Sequence, residues 1–238
     1  MKIKVCGMRD GGNILGVAAL GVAWIGLVFN NGSPRNVTMI PTHAGIIPDR
    51  GKEMLAPADA GGSRGQGGRP VPGLVGVFAD EMAQNIVTRV VNFRLDAIQL
   101  EGHEPPTLIR NLRSTLTGPS DRGRAIAPGL QVWKTLRVAD ASDLSQCEAY
   151  ADCCDMFVFD VGTHAGGLAS ACSMLAAYDG TLPFLLSGDI GPADAAVLRN
   201  FSHPRCEGVS IGDRFETAPA MKDVEEIGKF VKMLDAEL

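Results

Sequence analysis

The chain has 238 residues, of which 45% are hydrophobic and 21% are charged, and its formal net charge is -5. This composition supports a large core, which argues against a disordered chain, and a length of about 250 residues is typical of one α/β barrel. With 22 basic against 27 acidic residues and only 5% aromatic residues, the chain lacks the basic, base-stacking surface of a nucleic-acid-binding protein.

Short apolar runs recur along the chain, and eight of them predict β-strands. They lie at Ile3–Cys6, Trp24–Phe29, Leu74–Phe78, Ala97–Leu100, Gln131–Leu136, Met156–Phe159, Phe184–Leu186 and Gly208–Ile211. Their apolar residues do not alternate with polar ones, which is typical of strands covered on both faces, as in a parallel sheet.

Helical patterns follow seven of these runs. They lie at Asp10–Leu20, Glu81–Phe93, Pro105–Leu116, Ser142–Ala151, Ser170–Tyr178, Pro192–Phe201 and Asp223–Leu234. Eight strands with helices between them predict an α/β fold, the (β/α)8 TIM barrel, with a doubly wound open sheet as the alternative.

A long uncharged run, Ile14–Phe29, follows Lys2, Lys4 and Arg9 and so has the outline of a signal peptide. Its 16 residues fall short of the roughly 18–20 that span a bilayer, and three glycines interrupt it. We interpret it as the end of a helix, a turn at Gly21 and a buried strand, with a targeting segment as the alternative. The first interpretation predicts a cytoplasmic protein that does not enter a membrane.

The segment Pro41–Gly73 differs in composition, because 13 of its 33 residues are Gly or Pro. Such a segment cannot nucleate a good helix. We therefore expect the second helix of the barrel to be shortened or replaced by an irregular loop over 41–73, at the barrel mouth. The whole chain, residues 1–238, is expected to form a single domain.

The six cysteines include no Cys-x-x-Cys pair, so a disulfide framework is not indicated. We expect buried thiols in a reducing cytoplasm, with Cys6 as the exception. The four histidines have no ligand spacing with the cysteines, and we expect neither a metal nor another cofactor.

In barrels of this type the active site is built from residues at the carboxyl ends of the strands. Cys6 ends the first predicted strand, where a thiolate could serve as a general base; a buried small residue is the alternative. Asp160 follows the sixth strand, and a lone carboxylate after a buried run needs a partner or a function. The two side chains would face each other across one mouth, which suits removing a proton at one atom while protonating another.

Six short motifs occur in order along the chain: Lys4-Val5-Cys6-Gly7-Met8-Arg9-Asp10, Ser33-Pro34-Arg35, Gly76-Val77-Phe78, Gln99-Leu100-x-Gly102, Phe159-Asp160 and Lys222-Asp223. Together they resemble the phosphoribosylanthranilate isomerase family of tryptophan biosynthesis. The resemblance implies a cofactor-free Amadori rearrangement of N-(5-phosphoribosyl)anthranilate to 1-(2-carboxyphenylamino)-1-deoxyribulose 5-phosphate. It also implies a small phosphosugar substrate as the partner. The chain is expected to be a monomer or a homodimer.

The same resemblance implies roles for individual residues. Cys6 is the general base that takes the proton from C2 of the sugar, and Asp160 is the general acid that protonates the furanose oxygen. Arg35 faces the anthranilate carboxylate. The other substrate-binding positions are Gln99, Gly188, Asp189, Gly212 and Asp213.

The chain also departs from the family pattern. Glu101 replaces the usual histidine on the fourth strand, Gly188-Asp189 replaces Gly-Gly after the seventh, and Ser210-x-Gly212-Asp213 replaces Asp-x-Asn-Ser on the eighth. The last two changes lie where backbone N–H groups cradle phosphate. A carboxylate about 4 Å from a phosphate charge costs roughly 4 kcal/mol at an effective dielectric of 20. We therefore expect weak phosphate binding, unless the side chains point away or Arg214 compensates.

These departures keep two alternatives open. One is a barrel that has lost the isomerase activity and binds another small anion or a protein partner. The other is an enzyme that acts on a different phosphosugar. The identities at Asp189, Ser210 and Asp213 are the features that separate them from an active isomerase.

Overall fold

The computed structural model describes residues 1–37, 71–119, 125–164 and 166–235, and the backbone of two short strands at 40–42 and 45–47. Eight parallel strands form a closed barrel in which the last strand pairs with the first. They are β1 (Lys2–Cys6), β2 (Trp24–Val28), β3 (Gly73–Phe78), β4 (Ala97–Leu100), β5 (Gln131–Arg137), β6 (Met156–Asp160), β7 (Phe184–Ser187) and β8 (Cys206–Ile211). Each coincides with a predicted run to within two residues, so the barrel prediction is confirmed and the open sheet is wrong.

Helices follow β1 and β3 to β8. They are α1 (Gly11–Ala18), α2 (Ala83–Phe93), α3 (Pro106–Thr117), α4 (Cys147–Tyr150), α5 (Gly167–Leu175), α6 (Ala195–Asn200) and α7 (Val224–Asp235). The seven predicted helices are therefore present, but their form differs in three places. The patterns at Ser142–Ala151 and Pro192–Phe201 begin as the 3-10 helices Ala141–Gln146 and Pro192–Asp194 before they continue as α4 and α6.

The third difference is the start of α5, three residues before the predicted Ser170. Gly166 has a φ of +94°, a conformation that residues with a side chain rarely adopt, and it turns the chain into the helix early. Because of this turn, the first residues of α5 lie at the barrel mouth, where Gly167 and Leu168 line a cavity.

The interpretation of the run Ile14–Phe29 is confirmed. Helix α1 ends at Ala18, Gly21 has a φ of +82°, and β2 begins at Trp24 as a barrel strand. None of the helices in the described part of the chain has the length and apolarity to cross a bilayer.

An irregular loop is expected over residues 41–73, in the connection from β2 to β3. The first residues of that range instead belong to an antiparallel pair of three-residue strands, Ile40–Thr42 and Gly45–Ile47. Residues 48–70 lie outside the described residues, so the loop prediction there, and with it the single domain over 1–238, stays a prediction.

The barrel interior has an apolar floor and a polar upper layer. Side chains from Val75, Ala97, Trp133, Met156, Val158 and Leu185 form the floor, and Trp24 packs edge-on against Trp133 with ring centroids 5.3 Å apart. Burying one such large side chain contributes roughly 1.5–3 kcal/mol. Since side chains alternate along a strand, the inward residues nearer the carboxyl ends share this lumen. Four of them, Lys4, Gln99, Thr135 and Ser210, are polar.

The cysteines are free thiols, and four of them, Cys147, Cys153, Cys154 and Cys172, are buried as expected. Burial raises the pKa of Cys147 to about 12 and that of Cys172 to about 11. Cys206 is half-buried rather than buried, yet burial still raises its pKa to about 11. These thiols are therefore poor nucleophiles at neutral pH.

Candidate active site

A cavity of about 440 Å³ opens at the carboxyl ends of the strands. Seven of the eight residues predicted for the site line it: Cys6, Gln99, Asp160, Gly188, Asp189, Gly212 and Asp213. Arg35 is the exception. Closure of the barrel brings these seven together, since they come from five different strands or the loops that follow them.

Cys6 is the last residue of β1, and a tight turn follows it. The N–H groups of Gly7 and Met8 both donate to the carbonyl oxygen of Gly26 on β2, at 3.0 and 3.1 Å. Gly7 has a φ of +78°, and a Cβ there would lie 2.7 Å from Cδ of Arg35. The glycine after Cys6 is thus required both by the turn and by the arginine that crosses it.

Asp160 ends β6 on another side of the cavity. Its Oδ1 accepts a hydrogen bond of 3.0 Å from the backbone N–H of Gly162, which fixes the carboxyl group. Among the described residues, no donor bonds to Oδ2. One carboxyl oxygen is therefore held by the backbone, while the other remains available to a bound molecule.

Glu101, directly after β4, contributes a further carboxyl group to the cavity. Burial raises the pKa of Glu101; the charge of Lys4 opposes this rise and that of Asp160 adds to it. The family pattern has a neutral or cationic histidine here, so this chain has one more potential negative charge near Asp160.

The cavity also contains Thr135, Arg137 and Ser187, to which the sequence assigned no role. All three face inward at the ends of β5 and β7. Counting in steps of two from the floor residues Trp133 and Leu185 could have found them, because that alternation identifies the inward face. Arg137 adds a cation beside Asp160, its partner in strand register.

Arg35 is held by a carboxylate rather than exposed in the cavity. Its Nε and Nη2 donate to the two carboxylate oxygens of Glu216 at 2.8 and 2.6 Å, a bidentate pair. Lys222 Nζ donates to the same carboxylate at 2.6 Å and to the carbonyl oxygen of Gly212 at 3.1 Å. This network, which we call the Arg35–Glu216–Lys222 network, connects the loop after β2 to the loop after β8.

The protonation of this network follows from its contacts. Burial alone would raise the pKa of the Glu216 carboxyl, but the hydrogen bonds from Arg35 and Lys222 outweigh it and hold the pKa below the ordinary value. The hydrogen bond to Glu216 raises the pKa of Arg35. Burial lowers the pKa of Lys222, although Glu216 opposes this shift. The sequence placed Lys222 in a motif but did not predict its pairing with Glu216.

The loops after β6, β7 and β8 surround a second cavity of about 420 Å³ that shares Asp189 with the first. Arg214 Nη1 donates to both carboxylate oxygens of Asp189 at 3.1 Å. Gly188, with a φ of +146°, leaves no room for a side chain: a Cβ would lie 2.9 Å from the carbonyl oxygen of Gly162. The charge of Asp189 therefore has a cationic partner at this rim.

Nothing in the described part of the chain assembles three side chains that could hold a metal ion. The cavity presents a thiol, carboxyl groups and the guanidinium group of Arg137 around one opening. Such a set can move protons between atoms of a bound molecule.

Residues 63–233 match the family model described as N-(5'phosphoribosyl)anthranilate (PRA) isomerase. Proteins named N-(5'-phosphoribosyl)anthranilate isomerase from Parabacteroides distasonis and Phocaeicola vulgatus are each 32% identical to this chain. The first comparison covers 98% of this chain and 93% of that protein, and the second covers 100% of both.

Solved structures agree on the fold. Phosphoribosyl anthranilate isomerase from Thermotoga maritima has a TM-score of 0.71 at 22% identity, with 98% of each chain covered. An isomerase of the same name, solved with reduced 1-(o-carboxyphenylamino)-1-deoxyribulose 5-phosphate, has a TM-score of 0.66 at 21% identity, again over 98% of each chain. The family model and the full-length relatives go beyond the fold, and this chain belongs to the N-(5'-phosphoribosyl)anthranilate isomerase family.

Proposed function

We propose that this chain is the isomerase of tryptophan biosynthesis that converts N-(5-phosphoribosyl)anthranilate to 1-(2-carboxyphenylamino)-1-deoxyribulose 5-phosphate. Family membership supports the reaction. The observation that carries the residue roles is that Cys6 and Asp160, from β1 and β6, line one cavity. The rearrangement needs only proton transfers, which a base and an acid in that cavity supply without a cofactor.

The reaction follows from these two groups. Asp160 gives a proton to the furanose oxygen, the bond from that oxygen to C1 breaks, and the nitrogen lone pair forms an iminium at C1. Cys6, as a thiolate, removes the proton from C2, and those bonding electrons form the C1–C2 double bond of an enaminol. Protonation of C1 and loss of the C2 hydroxyl proton then give the ketone. Because Gly162 N–H holds Oδ1 of Asp160, the acid stays aimed at one position.

Substrate binding uses the rest of the site. Gly188, Asp189, Gly212 and Asp213 receive the phosphate, with the Arg214 guanidinium beside Asp189 as the cation. Arg35 retains three of its five N–H donors beyond the two that Glu216 accepts, and these bind the anthranilate carboxylate.

Gln99 completes the site. Its Nε2 donates to Thr135 at 3.0 Å, and its buried Oε1 has no partner among the described residues. Since an unmade buried hydrogen bond is costly, a substrate hydroxyl is the expected donor to this oxygen.

Turnover by the purified protein tests the proposal. The protein is produced in a host without its own isomerase, and loss of the substrate's fluorescence is followed while chromatography identifies the product. The double variant Cys6→Ser with Asp160→Asn serves as the control for contaminating activity. Absence of turnover by the wild-type protein, together with binding of phosphate, would instead support the barrel that has lost this activity.

The proposal includes a cytoplasmic location and a monomer or homodimer. A biosynthetic role with a small phosphosugar substrate supports the first. For the second, a Thermotoga maritima relative is described as dimeric, with monomers generated from it, so the fold accommodates both states. Light scattering after size exclusion measures which state this chain adopts.

A further inference from the structure

Lys4 is a buried cation in the lumen of the barrel. It lies on β1 two residues before Cys6, so both side chains are on the same face of the strand. Lys4 is 0% exposed, and its Nζ donates to Ser210 Oγ at 3.5 Å, the outer limit of a hydrogen bond.

The two other lysines that are buried in the described part of the chain have carboxylate partners. Lys134 Nζ lies 2.9 Å from Glu104, and Lys222 Nζ lies 2.6 Å from Glu216. Within the described ranges, Lys4 forms no such ion pair. A buried ammonium without a counter-ion is unfavourable, and removal of a proton or an anion nearby relieves the cost.

The end of the Lys4 side chain and the thiol of Cys6 both approach the gap that Gly26 leaves on β2. A Cβ on Gly26 would lie 3.2 Å from Cε of Lys4 and 3.0 Å from Sγ of Cys6. Both atoms thus approach one point on the neighbouring strand, which places the end of the Lys4 side chain near the thiol. Any larger residue at position 26 would enter the space that the two side chains share.

We propose that Lys4 is a positioning residue whose ammonium stabilises the Cys6 thiolate, an inference that rests on the proposed function of Cys6 as the base. The two groups satisfy each other, because the thiolate is the anion that Lys4 lacks and the ammonium favours ionisation of the thiol. Low exposure strengthens this interaction relative to water.

Other charged groups face Cys6, and because they include both cations and carboxylates, their effects on the thiolate partly cancel. They are Arg35 on the loop after β2, Asp213, Glu216 and Lys222 after β8, and across the cavity Glu101, Arg137, Asp160 and Asp189. Arg35 and Lys222 share the carboxylate of Glu216, whereas Lys4 has no ion-pair partner of its own in the described chain. Lys4 is therefore the buried cation that has no carboxylate bonded to it, although its charge also acts on the Glu101 carboxyl.

The test is the pH dependence of Cys6 alkylation by iodoacetamide, measured on the Cys6 peptide by mass spectrometry. This readout does not require turnover. Burial raises the pKa of Cys147 to about 12 and those of Cys172 and Cys206 to about 11, so these thiols react slowly over the same range. The variants are Lys4→Met and Lys4→Gln, of which the second keeps a donor for Ser210. Lys2→Met is the matched control, since Lys2 lies on the same strand but is exposed.

We expect the midpoint of alkylation to rise by about one pH unit or more in both Lys4 variants, a roughly tenfold loss of thiolate below the midpoint. The acid limb of kcat/KM should move equally, and Lys2→Met should leave both unchanged. Ser210→Asp keeps Lys4 but gives its ammonium a carboxylate, and it should raise the midpoint even if the Lys4 variants do not fold.

An unchanged midpoint in a folded Lys4 variant, or in Ser210→Asp, overturns the inference. Turnover by the wild-type protein with an unchanged midpoint contradicts Lys4 alone. Absence of wild-type turnover with a midpoint that moves contradicts the proposed function, while the interaction between Lys4 and the thiolate stands.

Discussion

The two sides of the barrel mouth hold their charged residues differently. In the Arg35–Glu216–Lys222 network, the Glu216 side chain is 7% exposed and accepts from two cations at 2.6 to 2.8 Å. At the rim, Asp189 is 36% exposed and pairs with one arginine at 3.1 Å that is itself 55% exposed. Removing one partner of a buried network leaves an unpaired buried charge, which is strongly destabilising. An exposed ion pair, by contrast, contributes little to the free energy of folding.

This difference indicates that the buried side of the mouth tolerates substitution poorly, whereas the exposed rim tolerates it well. The buried side holds Cys6 within a turn that Arg35 covers, so its geometry depends on several contacts at once. The rim changes charge with little structural cost, and Asp189 and Asp213, two departures from the family pattern, belong to it, whereas a third, Glu101, lies near Asp160. Phosphate binding is therefore the property that we expect to vary most readily.

The largest expected effect is at the reaction centre. Cys6→Ser and Asp160→Asn should each lower kcat by about 10² to 10⁴, the usual contribution of a general base or acid. The fluorescence assay measures it, with Cys206→Ser as the control for replacing a cysteine far from the mouth. A Cys6→Ser protein that keeps more than roughly half of the wild-type kcat would contradict the assignment of the base.

Loss of the buried network should come next. Glu216→Gln leaves Arg35 and Lys222 without their shared anion and should lower the free energy of unfolding by about 3 kcal/mol, measured by urea denaturation at pH 7. Asp152→Asn, which removes an exposed partner of Arg110, is the control and should cost at most about 1 kcal/mol.

The same variant has a predicted pH dependence. Because the folded pKa of Glu216 lies below the ordinary value of 4.5, its contribution to stability is complete above that value and is lost as the pH falls through the folded pKa. The stability difference between wild type and Glu216→Gln should therefore shrink in acid. A difference that stays constant down to low pH would mean that Glu216 does not stabilise the fold as a carboxylate.

A smaller effect is expected for phosphate binding at the rim. Replacing Asp189 by Gly and Asp213 by Ser removes two carboxylates and frees Arg214 from its ion pair. We expect inorganic phosphate or product to bind about tenfold more tightly, which corresponds to about 1.4 kcal/mol. Titration calorimetry on both proteins measures it, and equal affinities would show that the carboxylates do not oppose the phosphate.

The smallest effect should be on stability at that same rim. Arg214→Ala breaks an exposed ion pair and should change the free energy of unfolding by less than about 1 kcal/mol. Urea denaturation of Arg214→Ala and Glu216→Gln under the same conditions compares the two losses of stability directly. A loss as large as that of Glu216→Gln would remove the distinction between the buried side and the rim.

The amino-acid sequence by itself determined the elements and much of the site. Mainly apolar runs identified all eight strands of the barrel, since strands covered on both faces carry apolar residues on both sides. The rule that barrel sites form at strand ends then selected Cys6 and Asp160, which the cavity indeed brings together. These features depend on residues close in the chain, so local patterns carry them.

Closure of the barrel decided the pairing of charges. Arg35 and Glu216 are 181 residues apart, and no local pattern indicates that the arginine expected to face a substrate is also held by a carboxylate. Arg214 was one candidate cation for the carboxylates at the rim, and only the structure shows that it pairs with Asp189. Which charges meet, and which stay unpaired, depends on how distant strands align around the lumen. Only the tertiary structure contains that information, because the energy of a charge depends on its surroundings in space rather than on its neighbours in sequence.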